Sequence, residues 1–503
     1  MSDPLRICFC VSEAVPYAKT GGLADVAGAL PRALEEMGCD VRIVLPAYRT
    51  INREEFGFRP VGEAVLRLDS SPVPVRFFEG RLPGSAVPVY LVGSDRFFDR
   101  PGLYGDAGRD YPDNLERFST FCRGTLALVR STGWRPQVLH CHDWETALLP
   151  VLLRVEPGDG ALAETGTLFT IHNLAYQGLF PPERLPATGL GPRLFAPDGL
   201  EFYGRINLLK GGLIFADLLN TVSEQYAREI QTPEFGYGLD GLLRERAGEL
   251  IGILNGVDYS AWDPSTDPLI PARYTAQDPA RKAVCKERLQ HGLGLRIDPQ
   301  TPIIGMITRL ADQKGLDLVA PAIETILGLG TQLALLGAGD PPYEARFQEI
   351  GERHRGRAGV TLGFDEPLAH RIEAGADMFL MPSRYEPSGL NQLYSLRYGT
   401  VPIVRRTGGL ADTVTDATPE ALAQGTATGF VFEHYAADAL LGAVARAVVM
   451  FRDARAWRNL QATGMRLDFS WGRSAAKYLD AYRRVIAKRT GTKRRDVSDE
   501  PFD

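Results

Sequence analysis

Short apolar runs rich in valine, isoleucine and leucine alternate along the chain with longer stretches of helical period, the pattern of β-α-β units feeding parallel sheets. In the first half the runs predicted as strands are Ile7 to Val11, Val41 to Leu45, Val89 to Val92, Val138 to Cys141, Leu168 to His172 and Leu218 to Val222. The pattern restarts in the second half with Ile303 to Thr308, Gln332 to Leu336, Met378 to Met381 and Pro402 to Val404. Between the two sets, Asn255 to Pro279 is irregular and carries Pro264, Pro268, Pro271 and Pro279, which puts a domain boundary near residue 250. The prediction is an α/β chain of two doubly wound domains, 1–250 and 251–465, then a helix over 466–487 packing across the seam between them. Residues 488–503 are dense in charge and almost free of apolar side chains, the composition of a disordered tail.

Length agrees with that division, since 503 residues exceed the roughly 250 to 300 at which one hydrophobic core stops growing. A formal charge of -6 argues against a nucleic-acid surface or a broad polybasic membrane patch and leaves a small neutral or anionic ligand allowed. The N-terminus enters a strand almost at once, without the charged region, apolar stretch and cleavage site of a secretion signal, and no run of about 18 apolar residues suggests a membrane span. Six scattered cysteines without paired C-x-x-C units fit reduced thiols in a cytosol; Cys8 and Cys10 share one face of the first strand and read as core fillers.

One hexapeptide occurs twice. Thr20 to Asp25 reads Thr-Gly-Gly-Leu-Ala-Asp, Thr407 to Asp412 repeats it letter for letter, and a cation precedes each copy, Lys19 and Arg406. Paired glycines between strand and helix allow a sharp turn and leave helix N-terminal amides able to receive an anion. The expectation is that each domain offers a glycine turn to one charged ligand.

Other polar clusters also fall after predicted strands, where ligands of open parallel sheets collect. Arg309 and Lys314 stand five residues apart in a loop entering a helix, suited to a pyrophosphate whose charge grows as its bond breaks. Glu386, after the strand ending at Met381, is placed to accept hydrogen bonds from sugar hydroxyls. His140, His142 and Asp143 lie together and His172 ends another strand, but no third ligand stands at a recognised metal interval. The chain has no D-x-D, which disfavours glycosyl transfer through a bridging divalent metal.

With these residues in view the chain resembles the bacterial glycogen synthase and plant starch synthase family. The resemblance runs from Lys19–Asp25 through His142-Asp143-Trp144, Thr170–Gly178, Leu254–Asp258, Arg309–Gly315, Glu386-Pro387 and Arg405–Asp412 to Phe469-Ser470-Trp471. It implies the GT-B architecture, in which two facing Rossmann-like domains enclose a cleft and a C-terminal helix crosses back to the first. It also implies a retaining transfer of glucose from ADP-glucose to the non-reducing end of an α-1,4-glucan, with no cofactor and no metal. By the same resemblance Lys19, Gly21 and Gly22 border the donor, Arg309 and Lys314 hold its diphosphate, and Thr407, Gly408, Gly409 and Leu410 supply amides to the distal phosphate. Asp143 and His172 border glucose and acceptor, Glu386 grips the glucose hydroxyls, and Tyr104 and Asn255 join the binding set.

Two departures stand out. Ser388 occupies a position where many relatives have cysteine, and Tyr394 stands eight residues after Glu386, where other retaining GT-B enzymes have a second glutamate. The latter disfavours sucrose or trehalose chemistry. A nicotinamide dehydrogenase would need G-x-G-x-x-G after the first strand, and the turn at Lys19 to Ala24 does not supply it. UDP-glucose as donor, or a silent glucan-binding role, remain as alternatives, and oligomeric state is left open.

Overall fold

A computed structural model describes residues 3–68, 72–106, 108–156 and 160–496. The chain forms two units: the first combines residues 1–222, 227–256 and 471–503, the second 223–226 and 257–470. The passage between them therefore comes at Gly256 and Val257, beyond the predicted residue 250, and the chain returns at Trp471.

The first unit is built on nine strands: β1 (Arg6–Cys10), β2 (Asp40–Pro46), β3 (Arg59–Arg67), β4 (Pro72–Arg81), β5 (Pro88–Gly93), β6 (Val138–His142), β7 (Gly166–Ile171), β8 (Leu218–Thr221) and β9 (Leu250–Gly252). They lie in the order β9-β8-β7-β6-β1-β2-β5-β4-β3. Only β4 runs against its neighbours. Every residue of β6 and β7 is buried, as expected of strands covered on both faces. The β3–β4 hairpin leaves no clear mark in the sequence, because β4 carries Pro72 and Pro74 and β3 is a mostly exposed edge strand with no apolar run. Cys8 and Cys10 point the same way into the core, their sulfurs 3.6 Å apart, and all six cysteines are buried free thiols.

The second unit holds six parallel strands: β10 (Ile303–Leu310), β11 (Gln332–Gly339), β12 (Ala358–Leu362), β13 (Met378–Met381), β14 (Val401–Arg405) and β15 (Phe430–Phe432). Their order is β12-β11-β10-β13-β14-β15. Helices that matter below are α1 (Gly22–Glu36), α2 (Leu316–Gly328), α3 (Asn391–Tyr398), α4 (Gly408–Thr413) and α5 (Trp471–Asp496).

α5 returns to the first unit, as the resemblance implies, and packs there on α1 and on β6, β7 and β8. The helix also continues through the stretch predicted as tail, to Asp496, because its cations find acceptors: Lys488 Nζ donates to the Asp217 carbonyl at 2.9 Å and pairs with Glu249, and Arg489 donates to the Ala163 carbonyl. Residues 497–503 lie outside the described residues.

The irregular segment after the first passage is anchored to the second unit by two buried devices. Trp262 stacks between Tyr394 of α3, at 4.0 Å, and His370, at 3.8 Å. Lys282 Nζ donates to the carbonyls of Glu373, Ala374 and Tyr398 and to Thr400 Oγ1, at 2.7 to 3.3 Å. It thereby satisfies carbonyls at two helix C-termini, which have no partners within their helices.

Candidate active site

Both sheets reverse their strand order at one place, β1 beside β6 in the first unit and β10 beside β13 in the second. Such switch points open a crevice at the carboxyl ends of the strands. Most of the sequence-predicted residues follow strands at or next to these points; Asn255 instead follows β9, at the far edge of the first sheet.

In the first unit the loop after β1 brings Ser12 and Glu13, the end of β6 brings His142 and Asp143, and the end of β7 brings His172. Asp143 Oδ1 accepts the His172 N–H at 2.7 Å and the Asn173 N–H at 3.5 Å. Asp143 has φ of 54°, a left-handed backbone that side-chain-bearing residues seldom adopt, and the strain turns its carboxylate toward the neighbouring strand end. The His172 ring is fixed from behind, Nε2 lying 2.9 Å from His142 Nδ1. The His140 ring lies against His142, centroids 4.0 Å apart and planes tilted by 37°, and anchors a deeper network. Thr170 Oγ1 donates to Asn220 Oδ1, so it accepts from His140 Nε2–H at 2.6 Å, and His140 Nδ1 is left to accept from Tyr482 OH of α5 at 2.9 Å. The ring nitrogens of His140 are thus consumed by hydroxyls.

Burial holds all three imidazoles below their ordinary range, His172 at about 3, so they are neutral at pH 7. Burial pushes Asp143 the other way, to about 7, against the lowering effect of the two amides. Since this folded value lies above the unfolded one, ionising Asp143 costs stability; the cost is absent in acid and complete once pH has risen through about 7. Asp143→Asn keeps the acceptor oxygen and removes that cost. Its melting temperature relative to the unsubstituted protein is therefore expected to rise between about pH 5 and pH 8, and a pH-independent difference in calorimetry would count against the assignment.

The glycine turn of this unit is already occupied by a group that the motif does not announce. Glu13, almost fully buried, accepts the N–H groups of Thr20 and Gly21, the Thr20 hydroxyl at 2.6 Å and the Tyr104 hydroxyl at 2.6 Å. Its only sequence signal is an acid on the loop after β1, seven residues before the turn. Lys19 pairs with Asp25 at 2.6 Å, within the repeated segment. Gly22 opens α1. Asn255 is buried with its Oδ1 unpartnered.

In the second unit Lys314 and Glu386 meet. Lys314 Nζ lies 2.7 and 3.0 Å from the two carboxylate oxygens, and Ser383 Oγ donates to Glu386 Oε2 at 2.9 Å. Glu386 is 5% exposed. Gly315 makes the approach possible: its φ is 73°, and a Cβ there would lie 2.1 Å from the Pro382 carbonyl oxygen. Arg309 extends from the end of β10, exposed, with Nη2 donating to Gln313 at 3.0 Å.

The second hexapeptide does something different from what its sequence suggests. The Gly409 N–H is spent on the Glu386 and Pro387 carbonyls, at 3.0 and 3.2 Å, and the Leu410 N–H on the Thr407 carbonyl. A Cβ on Gly408 would lie 1.9 Å from the Glu386 carbonyl oxygen, and one on Gly409 2.0 Å from that of Ser388. The glycines are thus needed for seating α4 against the Glu386 loop, and two of the four residues predicted to give amides to phosphate have theirs engaged internally. Arg406, like Lys19, is in an ion pair, with Glu433.

Residues 6–245 match a family model described as starch synthase catalytic domain, and residues 294–459 one described as glycosyl transferases group 1. A glycogen synthase of Syntrophotalea carbinolica is 48% identical over 96% of this chain and 99% of its own length; one of Anaeromyxobacter dehalogenans is 52% identical over 95% and 99%. The chain belongs to the glycogen and starch synthase family. It is therefore a retaining glycosyltransferase of GT-B architecture, of the kind that builds glycogen or starch. The catalytic domain of starch synthase IV from Arabidopsis thaliana, solved bound to ADP and acarbose, matches with a TM-score of 0.90 and 34% identity, covering 96% of this chain and 100% of that one. Sucrose-phosphate synthase from Thermosynechococcus elongatus, 18% identical with a TM-score of 0.60, shares the fold. Where other retaining GT-B enzymes have their second glutamate, this member of the family uses Tyr394 to hold Trp262. No helix among the described residues is long and apolar enough to cross a membrane.

Proposed function

We propose that the chain extends an α-1,4-glucan in the cytosol by moving glucose from ADP-glucose to the non-reducing end, with retention and without a metal. The observation that carries this reading is the Lys314–Glu386–Ser383 cluster at the switch point of the second sheet. It joins a cation suited to a leaving diphosphate with a carboxylate suited to sugar hydroxyls, the carboxylate held by both Lys314 and Ser383. Such preorganised charge favours the transition state because no reorganisation is needed as negative charge develops.

In this scheme Arg309 and Lys314 stabilise the departing ADP, and Glu386 accepts hydrogen bonds from the glucose hydroxyls. Lys19, Gly21 and Gly22 border the donor, and Tyr104 and Asn255 join the binding set. Asp143 and His172 line the glucose and acceptor positions, with the His172 carbonyl toward the oxocarbenium-like centre. The C1–O bond to the diphosphate breaks, C1 bonds to the acceptor O4 on the same face, and the O4 proton passes to the departing phosphate oxygen. A neutral His172 suits that route, since it neither adds positive charge beside the cationic centre nor competes for the proton. The Arabidopsis starch synthase domain, bound to ADP and acarbose, supports the donor nucleotide and the acceptor class.

Radiolabelled ADP-glucose and UDP-glucose, each offered with maltoheptaose in the presence and absence of EDTA, test the proposal. ADP-glucose should be the better donor and chelation should leave its rate within about twofold, since Arg and Lys take the metal's electrostatic part. Preference for UDP-glucose would overturn the donor assignment. Rate loss restored only by a divalent ion would overturn the metal-free scheme.

A further inference from the structure

The two copies of the hexapeptide use their glycines differently. In the second, a Cβ on Gly408 or Gly409 would strike main-chain oxygens. A Cβ on Gly21 would meet nothing within 4 Å, and its φ of -151° is open to any residue. Neither packing nor backbone geometry therefore asks for glycine at 21. A bare backbone that the fold itself leaves unused serves the close approach of something from outside the chain.

The same turn is clasped from within. Lys19, Thr20 and Gly22 are exposed, whereas Glu13 is 4% exposed. Glu13 Oε2 accepts the Thr20 and Gly21 N–H groups, and Oε1 accepts the Thr20 and Tyr104 hydroxyls at 2.6 Å each. A side chain met by four donors has the surroundings of an ionised carboxylate, which can only accept. A line of hydrogen bonds continues inward from Tyr104. Asn114 Nδ2 donates to the Tyr104 carbonyl at 2.9 Å, and fully buried Arg117 donates to Asn114 Oδ1 at 2.6 Å and to the Leu103 carbonyl at 2.8 Å. One carboxylate thus ties the exposed turn to the interior of the first unit.

We propose that Glu13 is a positioning residue for the donor: a carboxylate built into the turn where an outside anion could sit, which engages the Thr20 and Gly21 amides from the inner side and so presents the bare backbone of Gly21 to the nucleotide sugar. The proposal rests on the reading that this turn borders the donor. Helix N-terminal amides with no internal partner would draw an anion themselves. A turn without its clasp would also have to be ordered by each incoming donor molecule, and that ordering lowers affinity. With Glu13 in place the turn is ordered beforehand.

The test measures transfer from ADP-glucose to maltoheptaose by Glu13→Ala with and without added formate, beside Glu13→Gln and Gly21→Ala. In Glu13→Ala the KM for ADP-glucose should rise about tenfold while kcat stays within about threefold, the pattern of lost binding order rather than lost chemistry. Formate, a carboxylate small enough for the place of the deleted group, should restore most of the KM. Glu13→Gln, which keeps an acceptor oxygen for the amides, should fall between the two. Gly21→Ala should raise KM with its melting temperature unchanged. An unchanged KM in Glu13→Ala overturns the proposal, as does a raised KM that formate leaves where it is. Should Glu13→Ala not fold, Glu13→Gln decides: a raised KM at unchanged kcat supports the role, and an unchanged KM overturns it. Should the unsubstituted protein transfer glucose from neither nucleotide sugar, the proposed function fails while hydrogen exchange over residues 13–25 still decides this inference: faster exchange in Glu13→Ala that formate slows again supports it, and exchange equal to the unsubstituted protein overturns it.

Discussion

Lys314→Ala is expected to lower kcat by about 100- to 1,000-fold, the usual consequence of deleting one preorganised donor aimed at developing charge. Two losses combine in this variant. The diphosphate loses a cation, and Glu386, nearly buried and paired to Lys314 at 2.7 Å, is left with Ser383 as its remaining side-chain donor. Without the lysine the carboxylate also loses the contacts that fix its position for sugar hydroxyls. Arg309→Ala should cost less, roughly tenfold to a hundredfold, since Arg309 is exposed and water screens its charge. Steady-state rates with ADP-glucose, beside a melting curve for each variant, measure both effects. Near-normal turnover in Lys314→Ala would remove the cluster from the mechanism.

The largest expected effect on stability lies away from the chemistry. Lys282→Met should destabilise the second unit by about 3 to 5 kcal/mol, because it strips a buried donor from three carbonyls and a hydroxyl that no water can reach. The methionine fills the space of the stem, so the loss belongs to the hydrogen bonds and the charge. In a scanning calorimeter this corresponds to a fall of roughly 10 °C in the transition of that unit. A fall below about 2 °C would mean that the Thr400 and Tyr274 hydroxyls, which also donate to the Glu373 and Tyr398 carbonyls, suffice without the lysine.

What can be seen in the residues alone follows from what each interaction leaves as a pattern. Buried parallel strands leave apolar runs, unbroken in β13 and interrupted by His140 in β6 and by threonines in β7, legible to within a residue or two. β12 escapes because Gly359 and Thr361 break its apolar pattern, β15 because its apolar run is only three residues long, and the β3–β4 hairpin because prolines and an exposed edge erase it. The polar clusters at strand ends are legible as candidates since sheet topology brings them together at the switch points. Their partners are not. Glu13 caps the first glycine turn and Glu386 receives Lys314 across 72 residues, contacts that depend on the closure of loops rather than on spacing. The repeated hexapeptide carries a further lesson: identical letters face a carboxylate in one unit and main-chain carbonyls in the other. Glycine pairs report that something comes close, and leave its identity to the fold.

The first unit includes a helix, α5, separated from the rest of its sequence by the whole of the second unit. During synthesis the ribosome must therefore finish the second unit before Tyr482 exists to meet His140. Until then a nascent chain carries an uncovered sheet face on which His140 Nδ1 lacks its hydroxyl donor. The enzyme's maturation is accordingly timed by its final turns, and no partially translated product can hold a completed first unit.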